Sequence, residues 1–135
     1  MPDYLKLYCQ TSELAELRKY LQSRLESSPI SDALKLQLIL AVEEVCANLI
    51  IHSHNCDKSE HIQVLVSQNQ KEIVFEIRDQ GNAFNILEYN TPEIKEVVGE
   101  KRKGGLGIIL IKKIMDEIKF STANGTNICS LVKKI

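Results

Sequence analysis

The stretch Glu44-Val45-Cys46-Ala47-Asn48-Leu49-Ile50-Ile51-His52 sets three polar side chains at intervals of four in an otherwise apolar run. That interval brings side chains to one face of an α-helix, so Glu44, Asn48 and His52 form one polar stripe. Taken alone, an acid four residues before an Asn reads as the solvent side of an amphipathic helix. The company of Asn48 argues the other way. Ala47, Leu49, Ile50 and Ile51 adjoin it, and a mid-helix Asn among apolar residues needs a polar partner. An amide oxygen on a magnesium ion that also holds phosphates supplies one.

Working outward toward the N-terminus, Ser31 or Asp32 caps this helix, which runs to about His52 with Leu34, Leu38, Val42, Val45 and Leu49 at helical spacing. Before it, Tyr4 to Cys9 reads as a short strand. Thr11 or Ser12 then caps a helix through about Ser27, with Leu14, Leu17, Leu21 and Leu25 on one face and Ser28-Pro29 ending it. Toward the C-terminus, His61 to Gln68 and Glu72 to Arg78 read as strands. Ile62, Val64 and Val66 share one face of the first, and Ile73, Phe75 and Ile77 one face of the second. Asn69-Gln70-Lys71 links them as a hairpin.

From Gly81 to Gly104 the sequence is polar and irregular, with Pro92 and at most a short helix near Glu93 to Val98. A segment this long inside one domain reads as a functional lid, about residues 84–103, and mobility is expected there. Leu106 to about Glu117 resumes helical spacing. Strands from Ile118 to Ala123 and Thr126 to Lys133 then flank Asn124-Gly125, a tight-turn signal. The order β-α-α-β-β-lid-α-β-β predicts an α+β fold over residues 1–135. It is a two-layer α/β sandwich, with a mixed, mostly antiparallel sheet and helices on one face. The other face is left to solvent or a partner.

The chain has 135 residues, the size of one domain, which buries enough apolar surface to fold without metal or disulfide help. Its 17 Lys and Arg balance 18 Asp and Glu, so it projects no strong field toward nucleic acid or an anionic membrane. Cys9, Cys46, Cys56 and Cys129 are widely spaced without a CxxC pair, and read as reduced thiols of a cytosolic protein. No signal peptide is evident in Met1 to Gln10. No apolar stretch nears the roughly 20 residues that span a bilayer.

Two further signatures follow the helix stripe. Asp79 ends a strand before Gly81, where the backbone can approach a flat ligand and the carboxylate can accept from an amino group; Asp-x-Gly is equally an everyday turn. Gly104-Gly105-Leu106-Gly107 opens a helix, so backbone N–H groups can converge on phosphate; the alternative is a flexible hinge. The adjacent Lys101-Arg102-Lys103 reads as a solvated face. A phosphate loop ending in Gly-Lys-Ser/Thr and the Rossmann glycine fingerprint are both absent.

In joint order, these signatures resemble the Bergerat-type ATP-binding fold of gyrase B, Hsp90 chaperones, histidine kinases and MutL. Within that superfamily, the leading β-α unit, the run Asn48 to His52 and the Asn124-Gly125-Thr126 hairpin resemble the bacterial anti-sigma factor serine/threonine kinases. The resemblance implies that ATP and Mg²⁺ bind, with Asn48 as the metal ligand and His52 on the same stripe. It implies that Asp79 reads the adenine amino group and that Gly81 and Ala83 line the base pocket. Gly104, Gly105, Leu106 and Gly107 would contact phosphates, and Thr126 would support adenine recognition. Glu44 would be the general base and Glu43, turned about 100° away, the decoy, with the reverse assignment left open by the sequence. Ser53-His54 departs from the small residue and aromatic common there.

The function implied is an anti-sigma factor that sequesters a sigma factor and phosphorylates a serine of an anti-anti-sigma antagonist, as a homodimer in the cytoplasm. A nucleotide-binding adaptor without phosphoryl transfer would keep the same pocket. A stand-alone histidine-kinase catalytic domain fits less well, because the leading β-α unit is present and a dimerisation helix pair is not.

Overall fold

The computed structural model describes residues 4–50, 59–80 and 105–135. Its elements are β1 (Tyr4–Tyr8), a 3-10 turn (Thr11–Glu13), α1 (Leu14–Leu25), α2 (Asp32–Asn48), β2 (His61–Gln68), β3 (Glu72–Asp79), α3 (Gly105–Ile114), β4 (Glu117–Ala123) and β5 (Thr126–Lys134). The expected lid and its short helix near Glu93 to Val98 lie outside the described residues.

α1 forms because Leu17, Leu21 and Leu25 recur every four residues, and all three are fully buried. The 3-10 turn leads the chain into α1, so no side chain from Thr11 or Ser12 caps it. α2 starts as expected: the Ser31 hydroxyl oxygen accepts from the Leu34 backbone N–H at 3.1 Å, and Asp32 sits in the positive first turn. α2 packs against both α1 and α3, and that central place explains why its buried residues are not confined to one narrow stripe. Beyond Asn48, Leu49 and Ile50 widen into a π-type turn.

The five strands run in the order β1-β2-β3-β5-β4, and every pairing is antiparallel. Part of the sheet was expected to be parallel, and the topology shows why it is not. Two helices, not one, lie between β1 and β2, so the chain turns back an extra time. β3 and β4 flank the α3 crossover, but β5 inserts between them.

Alternation gives the sheet one buried face. Leu5, Val64, Ile77, Cys129 and Phe120 form one row across it, and Val66, Phe75, Leu131 and Ile118 the next. The helices cover this inner face, and their leucines join the strand residues in one core. The outer face carries Gln63, Glu76, Arg78 and Lys119, with Tyr4 and Tyr8 exposed at the β1 edge. Arg78 donates to Glu76 there at 2.9 Å.

Candidate functional site

The helix stripe is built from backbone geometry upward. Asn48 is buried at the C-terminal end of α2, and its Nδ2 donates to the Glu44 carbonyl oxygen at 2.9 Å and reaches Glu44 Oε1 at 3.5 Å. These bonds turn the amide nitrogen back along the helix and leave Oδ1 as the outward end. Glu44 is half-buried, and burial raises its carboxyl pKa above the usual range, partly offset by the Asn48 hydrogen bond. A carboxylate short of water is a better proton acceptor than an exposed one.

Glu43 has a different fate. Arg18 of α1 grips it with two bonds, Nε to Oε1 at 2.6 Å and Nη2 to Oε2 at 2.8 Å. The rotation of about 100° between neighbouring helix residues separates the two acids. Glu43 ties α1 to α2, and Glu44 does not share that partner.

On the sheet, the alternation of β3 carries Asp79 onto the inner face with Ile73, Phe75 and Ile77, and it is 4% exposed. Directly opposite it on β5 is Asn127, also 4% exposed. On β4, opposite Asn127, stands Thr122, whose hydroxyl donates to Asn127 Oδ1 at 3.0 Å. The Asp79 charge acts on the Cys129 thiol, which lies two residues beyond Asn127 on the same face of β5.

Gly105, Leu106 and Gly107 open α3, which packs on α2. Thr126 is placed elsewhere. Burial along β5 alternates through Asn127, Cys129 and Leu131, so Thr126 belongs to the face opposite Asp79. His52, Gly81, Ala83 and Gly104 lie outside the described residues, as does the Ser53-His54 departure. Asn127 and Thr122 were not anticipated. The signal was present in parity: counting back by twos from Leu131 and Cys129 reaches Asn127, and forward from Ile118 and Phe120 reaches Thr122.

Among the described residues no group of three or more His, Cys, Asp or Glu forms a cation cage. A metal held here would take the hard oxygen of Asn48 and complete its shell with phosphate and water. That donor set suits Mg²⁺, which keeps several waters and few protein ligands. A separate groove of about 240 Å³ lies at the N-terminal half of α2, lined by Gln22, Leu25, Asp32, Lys35, Leu36 and Ile39. Lys35 is engaged there with the Glu26 carbonyl at 3.1 Å and with Asp32.

A helical layer on an antiparallel sheet, with an acid–amide pair on the central helix and a buried carboxylate at a strand end, defines a domain of the nucleotide-binding ATPase class. The chain belongs to the histidine kinase-like ATPase domain family, whose profile matches residues 9–133. It is similar to the serine-protein kinase RsbW of Bacillus licheniformis, 28% identical over 97 residues, covering 67% of this chain and 59% of that one. The anti-sigma F factor of Clostridium perfringens is 26% identical over 94 residues, covering 70% of this chain and 67% of that one. The crystal structure of the SiaB–SiaC complex from Pseudomonas aeruginosa contains the same fold, with TM-score 0.62 and 16% identity over 98% of this chain and 89% of that chain.

Proposed function

We propose that this protein is an ATP-dependent serine kinase of the anti-sigma type, which phosphorylates an anti-anti-sigma antagonist and sequesters a sigma factor. The observation that carries the reading is the pairing on α2: a half-buried Glu44 held beside Asn48, with Glu43 diverted to Arg18. Names of relatives support it, since they include serine-protein kinases and an anti-sigma F factor. In this reading Glu44 accepts the proton of the substrate serine as its oxygen attacks the terminal phosphoryl group. Asn48 holds Mg²⁺, which would neutralise charge on the phosphates when bound. Asp79 accepts from the adenine amino group, and the Gly105 to Gly107 backbone meets the phosphates.

The antagonist, the sigma factor and a second copy of the chain are the partners this function calls for, and cytoplasm is where they would meet. No helix among the described residues is long and apolar enough to cross a membrane.

The deciding experiment incubates the protein with labelled ATP, Mg²⁺ and a candidate anti-anti-sigma protein, beside the Glu44→Gln variant. Label passes to a serine of the candidate with the wild type, and transfer falls by at least about 100-fold with Glu44→Gln, as expected for loss of a general base. Tight ATP binding with no transfer to any candidate would assign the chain to the adaptors instead. Wild-type and variant rates that agree would remove Glu44 from the chemistry.

A further inference from the structure

Followed back toward the N-terminus of α2, the stripe that carries Asn48 and Glu44 reaches Leu40 and then Leu36, each four residues before the last. These two leucines face water, Leu36 with 53% and Leu40 with 37% of its surface exposed, and Leu36 is the most exposed large apolar side chain among the described residues. A single exposed leucine calls for no explanation. The pair does, because of what adjoins it. On one side, the groove between α1 and α2 is lined by Leu36 together with the buried Leu25 and Ile39. On the other, one turn beyond Leu40, stands Glu44.

The charges that flank this stripe are paired within the chain. Lys35 meets Asp32 at 3.9 Å and the Glu26 carbonyl at 3.1 Å, and Arg18 meets Glu43 at 2.6 Å. The face therefore offers apolar surface and little net field to a partner. Small-molecule sites begin at roughly 300 Å³, so a groove of about 240 Å³ suits one apolar side chain of a protein better than a cofactor.

A protein that brings a serine hydroxyl within hydrogen-bond reach of Glu44 covers the exposed side of α2 around it. Along the helix axis Leu40 is about 6 Å and Leu36 about 12 Å from Glu44. Both distances fall inside a contact of ordinary size, about 800 Å² on each partner. We propose that Leu36, Leu40 and the groove beside them dock the protein to be phosphorylated, which seats an apolar side chain there while its serine meets Glu44. The proposal rests on the kinase reading above and adds a substrate determinant to it: an apolar residue about 12 Å from the target serine on the substrate surface.

The test takes the anti-anti-sigma protein that accepts label in the transfer assay and measures kcat and KM for it with the wild type, Leu36→Lys and Tyr4→Lys. Tyr4, 41% exposed on the edge strand β1, is the control for placing a charge on an exposed apolar residue away from the groove. Leu36→Lys raises KM for the protein substrate by at least about tenfold, the scale of one lost interface anchor, and leaves kcat and ATP affinity within about twofold of the wild type. Tyr4→Lys leaves KM unchanged. An unchanged KM in Leu36→Lys, or an equal rise in Tyr4→Lys, overturns the docking site. So does a Leu36→Lys variant that keeps the wild-type KM but loses binding to a candidate sigma factor or its own self-association, since the face then belongs to another occupant.

Circular dichroism establishes that the variants fold. Should Leu36→Lys not fold, the methyl resonances of Leu36 and Leu40 in the wild type decide: they shift on adding the unlabelled substrate protein, and resonances that stay in place overturn the proposal. Failure of the wild type to pass label to any candidate would remove the kinase reading and the docking site together. Transfer with the same KM in wild type and Leu36→Lys would remove the docking site alone.

Discussion

Glu43 and Glu44 are adjacent in sequence, yet one closes an ion pair with Arg18 and the other stands half-buried beside Asn48. Their stability effects differ accordingly. Burial raises the Glu44 pKa, so the folded state binds that proton more tightly than the unfolded chain does. Stability therefore falls as pH rises from the unfolded value, about 4.3, through the raised one, and above it the penalty is complete. Glu44→Gln removes the penalty: its melting temperature exceeds that of the wild type at pH 7, and the difference vanishes below about pH 4. Glu43→Gln should lower the melting temperature at pH 7 and leave label transfer intact, because it breaks a helix-to-helix tie and not the site. Transfer lost in Glu43→Gln and kept in Glu44→Gln would exchange their roles. The four-residue spacing of Glu44 and Asn48 was visible in the sequence, whereas the hold of Arg18 on Glu43 was not, since it joins positions 25 apart through helix packing.

Among the elements, the β4–β5 hairpin decides which side chains stand opposite the end of β3. Asn124 and Gly125 both adopt positive φ, 54° and 76°, the signature of a two-residue turn whose twist suits paired strands. That turn sets Ala123 opposite Thr126 and Thr122 opposite Asn127, and so decides which side chain meets Asp79. A Cβ on Gly125 would meet nothing within 4 Å, so Gly125→Ala costs only the backbone term. Urea unfolding should show a loss of about 1–2 kcal/mol. The turn was legible in Asn124-Gly125, whereas the face on which Thr126 falls is set by the pairing of β5 with its neighbours.

For the whole molecule, three thiols mark the seam between the layers. Cys9 follows β1, Cys46 lies on α2 and Cys129 on β5, and all three are buried thiols outside any disulfide among the described residues. Burial first, and then the fields of Cys129, Glu43 and Cys9, drive the Cys46 pKa up; burial and the Asp79 charge push Cys129 up to about 12. Thiols held protonated in this way react only when the layers part. With a thiol reagent at pH 8, the native protein should show at least three fewer reactive cysteines than the urea-unfolded chain, and saturating ATP should slow their modification. Immediate reaction of all four would mean that the layers do not pack as described.

The alternation of Ile62, Val64 and Val66, of Ile73, Phe75 and Ile77, and the fourfold spacing of Leu17, Leu21 and Leu25 announced the strands, the helix and the faces they bury. Local periodicity is enough for that, because each element chooses its buried side from its own residues. Antiparallel pairing throughout, the insertion of β5 between β3 and β4, and the meeting of Asp79 with Asn127 come from the order in which strands lie side by side. That order is settled by long-range packing of the helices over one sheet face, a competition among whole layers to which no short stretch of residues holds the answer.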